Sequence, residues 1–220
     1  MLNTPVIIVN YKTYSQSVGE KGVKLTKLIE KESTENWSVC PQTTDIRLNS
    51  EHTDVPILAQ HIDAIGPGSH TGHSLLKSLK EAGIEGTLIN HSEKRLKLSD
   101  IEKIVEMCKK ENLTTIVCAN NPEVASSAAA LDPDFVAYEP PELIGGDISV
   151  STAKPEVVRE AVKKVKAVNE DVEVLCGAGV KDGDDVKKAI ELGTKGVLLA
   201  SGLVKSENPK EVIKDLESGL

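Results

Sequence analysis

Glu139 stands directly after a short apolar run, Phe135-Val136-Ala137-Tyr138, and directly before Pro140-Pro141, with Gly145-Gly146 shortly beyond. A carboxylate at the C-terminal end of a buried strand has the position of a poised base. Proline fixes φ on one side of the segment and glycine frees it on the other, so the intervening residues can swing as a unit over a ligand. Taken alone, a glutamate at a strand end is more often salt-bridged or solvated. Other residues that could bind or react sit at comparable places at the ends of apolar runs: Asn10 and Lys12, His91 and Glu93, Gly177 and Gly179, Ala200 and Ser201. Each has a bland reading of its own. Asn10 can cap a loop, Lys12 can be a surface lysine, His91 a hydrogen-bonded core histidine, and Gly177–Gly179 a turn. His70-x-x-His73 has the spacing of a metal pair but lacks further ligands at suitable spacing, and His73 or Ser74 reads better as the start of a helix.

These residues need a frame that brings distant segments together. Apolar runs recur at Val6–Val9, Trp37–Cys40, Pro56–Ala59, Gly86–Ile89, Thr114–Cys118, Phe135–Tyr138, Val172–Cys176 and Gly196–Ala200. Most are near-continuous and β-branched, as expected of strands covered on both faces. Helical spacing separates many of them. Ile101, Ile104, Val105 and Cys108 fall at i, i+3, i+4, i+7, with Ser99 as N-cap. Val158, Ala161, Val162 and Val165 repeat the spacing after Pro155. Val186, Ala189 and Ile190 form a shorter stripe closed by Gly193, and Val212, Ile213 and Leu216 give the last one. Thr43–His52 and Pro122–Leu131 read as weaker helices, short or irregular.

Eight strands alternating with helices predict a closed (β/α)8 barrel in a compact form, with residues 1–220 as a single domain. An open doubly wound sheet is the alternative, but it would leave two exposed edges and no strand is polar enough to be one. Aromatic residues make up only 2% of the chain, so the core must be built from Val, Ile, Leu and Ala. The net charge of −8 speaks against a nucleic-acid partner, which wants a basic face. No apolar stretch approaches the ~18–20 residues that cross a bilayer, and Met1–Pro5 has no signal-peptide pattern. Cys40, Cys108, Cys118 and Cys176 show no C-x-x-C spacing. Reduced thiols in a cytoplasmic protein are the expectation.

In such barrels chemistry gathers at the C-terminal ends of the strands. Asn10-x-Lys12, His91-Ser92-Glu93, Tyr138-Glu139-Pro140 and Ile144-Gly145 follow strands one, four and six in that order, and together they resemble triosephosphate isomerases over the whole chain. Pro140-Pro141-Glu142-Leu143, Ser69-His70-Thr71-Gly72-His73 and Cys176-Gly177-Ala178-Gly179 resemble the archaeal branch of that family. The resemblance implies interconversion of dihydroxyacetone phosphate and glyceraldehyde 3-phosphate through an enediolate, in glycolysis and gluconeogenesis, with neither metal nor organic cofactor. By the same resemblance Glu139 is the base, His91 polarises the carbonyl as a neutral imidazole, Lys12 supplies positive charge and Asn10 a hydrogen bond. Glu93 pairs with Lys12. Backbone N–H groups at Ile144, Gly145, Gly179, Ala200 and Ser201 hold the phosphate, and the Pro140–Gly146 segment is a lid that excludes water.

The chain departs from the family at Gly145-Gly146-Asp147, where Gly-Thr-Gly is usual, and at Ala200-Ser201, where bacterial and eukaryotic forms carry Gly-Gly. A homo-oligomer, tetramer or dimer, is implied as well. Two other functions remain open: a different phosphate-handling barrel, such as an aldolase or a biosynthetic isomerase, and a catalytically silent scaffold. The first has no need of Asn10, Lys12, His91 and Glu139 together, and a Schiff-base aldolase wants a lysine where the sixth strand carries Glu139.

Overall fold

The computed structural model describes residues 2–140, 155–177 and 179–220. Eight parallel strands are present: β1 (Val6–Asn10), β2 (Asn36–Cys40), β3 (Leu58–Ala59), β4 (Gly86–Ile89), β5 (Thr114–Ala119), β6 (Phe135–Tyr138), β7 (Glu173–Cys176) and β8 (Gly196–Leu199). Ladders join them in the order β2-β1-β8-β7-β6-β5-β4-β3. A single parallel bridge between Val39 and Ile57 joins the two ends of that order, with the Val39 N–H donating to Pro56 O at 3.1 Å. The sheet therefore closes on itself as a (β/α)8 barrel and is not the open, doubly wound alternative. β3 is shorter than its apolar run because Pro56 has no N–H to give a ladder.

Around the barrel run α1 (Glu20–Glu32), α2 (Ile46–Ser50), α3 (Leu76–Glu81), α4 (Leu98–Lys110), α5 (Pro122–Ala129), α6 (Pro155–Val168), α7 (Gly183–Glu191), α8 (Ser201–Val204) and α9 (Pro209–Glu217). The Thr43–His52 segment is a 3-10 turn followed by the five residues of α2, hence short as read from sequence. Three expectations need correction. Ser99 lies inside the first turn of α4, whose N-cap is Lys97. The helix after His73 and Ser74 starts later, at Leu76, because the Ser74 N–H is held by the Asp63 carboxylate at 2.6 Å. Pro122–Ala129 is a regular helix with a side-chain cap, Asn121 Oδ1 accepting from Val124 N–H. At the end of α7, Gly193 adopts φ +99°, the left-handed conformation that closes a helix.

Strand side chains alternate between two cores. Val6, Ile8, Leu58, Leu88, Ile116, Phe135, Ala137, Leu175 and Leu198 meet inside the barrel. Ile7, Val9, Val117, Val136, Val174 and Val197 point outward, against Ile29, Ile104, Val105, Val158, Val165 and Ile213 of the helices. This alternation matters for function. Continuing the inward series Val6-Ile8 leads to Asn10, and continuing Phe135-Ala137 leads to Glu139, so both arrive inside the mouth at the C-terminal end.

The last helix is stitched to the start of β2 by one carboxylate. Glu217 Oε1 accepts from the N–H groups of Thr34 (2.7 Å) and Glu35 (2.8 Å) and from Trp37 Nε1 (3.3 Å). Glu217→Ala strands these donors and is expected to cost about 1–2 kcal/mol. The chain's single tryptophan is one of the partners, so its fluorescence in a urea titration reports the loss directly. An unchanged midpoint would show that water replaces the carboxylate without cost.

Candidate active site

Asn10, Lys12, His91, Glu139, Gly179, Ala200 and Ser201 line one cleft at the C-terminal mouth of the barrel. Ile144 and Gly145 of the expected lid, together with Asp147 of its rear hinge, lie outside the described residues.

Glu139 leaves β6 with its N–H donating to Ala119 O at 2.8 Å, and it is only 4% exposed. Its Oε2 has no hydrogen-bond partner among the described residues, and its Oε1 faces His91 Nε2 at 3.5 Å. Burial disfavours the anion and lifts its pKa from 4.5 to about 7, although a hydrogen bond with the Cys118 thiol and the positive charges of Lys12 and Arg95 pull the other way. A carboxylate in this state is a stronger base than one in water and is still half ionised near neutrality.

His91 is almost buried, and burial, reinforced by the Lys12 charge, lowers its pKa to about 4. The imidazole is therefore neutral throughout the physiological range, and its approach to Glu139 is not an ion pair. The Glu93 N–H points at His91 Nδ1 at 3.2 Å, which makes Nδ1 the acceptor. The proton must then sit on Nε2, and that nitrogen faces the cleft.

Lys12 adopts φ +47°, an uncommon conformation for a side-chain-bearing residue. It is held there by Asn10 Oδ1, which accepts the Lys12 N–H at 2.9 Å, and by Gln60 Nε2, which donates to Lys12 O at 2.9 Å. Its Nζ lies 2.9 Å from Glu93 Oε1. On the far side of the cleft Gly179 takes φ +72°, and Ala200 precedes the first turn of α8. The first N–H groups of a helix have no acceptor within it, so this rim presents donors.

Sequence reading alone missed several contributors. Gly177 provides clearance: a Cβ there would stand 2.5 Å from Glu139 Cγ. The Cys118 thiol neighbours Glu139 and helps to hold its pKa down, Gln60 fixes the Lys12 backbone, and Tyr14 lines the cleft beneath Lys205, whose Nζ sits 4.3 Å from the ring centroid. Gly177, Gln60 and Asn90 were visible as strand-end residues but not in these roles, and asparagine before a histidine at such a place suits a left-handed turn. Among the described residues no three His, Cys, Asp or Glu side chains are grouped to hold a metal ion. The rings of His70 and His73 meet edge to face, 5.8 Å apart.

Comparison with known proteins places this arrangement in a lineage. The family model for triosephosphate isomerase matches residues 5–216. The chain belongs to the triosephosphate isomerase family. A triosephosphate isomerase of Methanocaldococcus jannaschii is 53% identical over 96% of this chain and 98% of its own length. The Methanothermus fervidus enzyme is 53% identical over 98% of each chain, and that of Methanobrevibacter smithii 50% identical over the full length of both. These triosephosphate isomerases all come from methanogenic archaea, in line with the archaeal branch that the sequence resembles.

Proposed function

We infer that the chain interconverts dihydroxyacetone phosphate and D-glyceraldehyde 3-phosphate, with Glu139, His91, Lys12 and Asn10 as the working groups. The observation that carries this reading is a buried carboxylate with a pKa of about 7 facing a neutral imidazole N–H beside a lysine ammonium. In the ketose-to-aldose direction Glu139 takes a proton from the hydroxymethyl carbon next to the carbonyl. The electrons of that C–H bond form the enediolate double bond, and negative charge moves to the carbonyl oxygen. His91 Nε2–H and the Lys12 ammonium stabilise that oxygen where charge develops. Glu139 then returns the proton to the neighbouring carbon, the double-bond electrons forming the new C–H bond. The hydroxyl proton of the first carbon passes by way of His91 Nε2 to the former carbonyl oxygen and leaves the aldehyde. No step calls for a redox partner or a metal.

The phosphate is anchored by backbone N–H groups at Gly179, Ala200 and Ser201, with Ile144 and Gly145 of the lid completing the set. Charged substrate in an acidic protein is no contradiction, since oriented amides bind anions locally. In this reading the protein works in the cytoplasm as a homo-oligomer, tetramer or dimer. Its four free, buried cysteines suit a reducing compartment, and sedimentation equilibrium of the purified protein decides the stoichiometry. None of the helices among the described residues is long and apolar enough to cross a membrane.

The deciding experiment measures triose phosphate interconversion by the purified chain in both directions, with a metal chelator present. Inactivity under those conditions would end the assignment. The pH profile adds a signature. A base that must be ionised loses activity as pH falls through its free-enzyme pKa, so kcat/KM should drop below about pH 7 and level off above it. A limb of the opposite sign would assign Glu139 to acid rather than base chemistry.

A further inference from the structure

We propose that Asn90 is the positioning residue that aims His91 at the substrate, an inference that rests on the isomerase reading above. Along β4 the inward side chain is Leu88 and the outward one Ile89, so simple alternation turns residue 90 inward and residue 91 outward, into the helix layer. His91 nonetheless lines the catalytic cleft. The alternation is broken at Asn90, whose φ of +62° is left-handed. Asparagine tolerates this conformation better than most residues, but the turn still has to be held.

Three hydrogen bonds hold it. Asn90 Nδ2 donates to Cys118 O on β5 at 3.0 Å, and Asn90 Oδ1 accepts the Leu96 N–H at 3.0 Å. Arg95 Nη1 donates to Asn90 O, also at 3.0 Å. The side chain is buried and uses both ends of its amide, so it can satisfy these partners in only one orientation. It thus ties the turn forward to the loop and sideways to the strand that carries Cys118, whose thiol neighbours Glu139. Between the two tied points lie His91, Ser92 and Glu93, including the N–H that selects the His91 tautomer. Asn90 does not line the cleft, and its influence passes through the imidazole.

Asn90→Gly keeps the left-handed backbone and deletes both side-chain bonds. Asn90→Asp keeps the acceptor for Leu96 and loses the donor to Cys118 O. Two readouts are taken: steady-state kinetics, and 15N shifts of the His91 imidazole at pH 8, where the ring is neutral and the shifts report its tautomer. Asn90→Gly should lower kcat about tenfold, the cost of a modest misplacement, with KM within about twofold. The two ring-nitrogen signals should move towards each other as the Nδ1–H tautomer becomes populated. Asn90→Asp should recover part of the loss in kcat. If Asn90→Gly fails to fold, Asn90→Asp is held to the same two criteria against wild type. Wild-type kcat together with wild-type ring-nitrogen shifts would overturn the proposal. Should the wild-type chain prove inactive on triose phosphates, the isomerase reading falls, while the imidazole signals still decide whether Asn90 orients His91.

Discussion

Glu139→Gln should lower kcat about a thousandfold while KM stays within a few-fold. The amide keeps the size and place of the carboxylate, so the cleft, the phosphate donors and the neighbouring imidazole survive. Only the group able to accept a carbon-bound proton is gone, and general-base contributions are typically 10²–10⁴-fold. A variant with near-native turnover would remove Glu139 from the mechanism. The same substitution has a second, oppositely directed effect. Because the native pKa of Glu139 is raised from 4.5 to about 7, the folded protein holds a proton that the unfolded chain releases between those values. The native state binds more protons in that window, so wild-type stability falls as pH rises through it and stays low above it. Glutamine has no such slope. At pH 8 the variant should be the more stable protein, by on the order of 3 kcal/mol, and equal urea midpoints at pH 8 would contradict that. Loss of activity with a gain in stability is the pattern expected where a fold carries a strained catalytic group.

Gly177→Ala should be the next most damaging change, about a hundredfold in kcat, though residue 177 offers the substrate no side chain. Alanine needs no unusual backbone freedom here, so the effect is steric. The new methyl carbon would lie 2.5 Å from Glu139 Cγ and 3.2 Å from both Cδ and Oε1. The carboxylate must leave its buried position, and displacements of about 1 Å near reacting atoms cost roughly 10²-fold. A displaced carboxylate is also better hydrated, so its pKa should fall and the acid limb of kcat/KM should move below pH 7. That paired signature separates displacement of the base from general damage. Unchanged turnover with an unchanged limb would mean the barrel yields locally and Gly177 is not required.

The contrast between these two residues marks how far the sequence could be read. Glu139 was legible because it sits at the end of an apolar run beside a recognisable lid sequence. The strands were legible for a related reason: buried parallel strands read as continuous aliphatic segments, and Val136 and Val174 look alike from either side. Gly177 was visible as a turn glycine but not as the clearance for Glu139. That role depends on register between β6 and β7, where Tyr138 pairs with Cys176 and so sets residues 139 and 177 side by side. No local pattern encodes such a pairing. Helix ends were misread where a remote group intervened, as at Ser74, whose N–H is taken by Asp63. His91 was found by its motif, yet strand alternation alone points it the wrong way, because the left-handed turn at Asn90 is fixed by contacts with residues 95, 96 and 118.

The single bridge between β2 and β3 gives the barrel something like the seam of a cask, where two staves meet with little to bind them. Above that bridge, on the catalytic side, the backbone rungs stop and a side chain takes over. Gln60 Nε2 donates to Cys40 O at the end of β2 at 2.9 Å, and the same nitrogen donates to Lys12 O at 2.9 Å. One amide thus serves as the hoop at the seam and as the peg that fixes the lysine's backbone. Loss of that one amide would release the joint and the Lys12 carbonyl together.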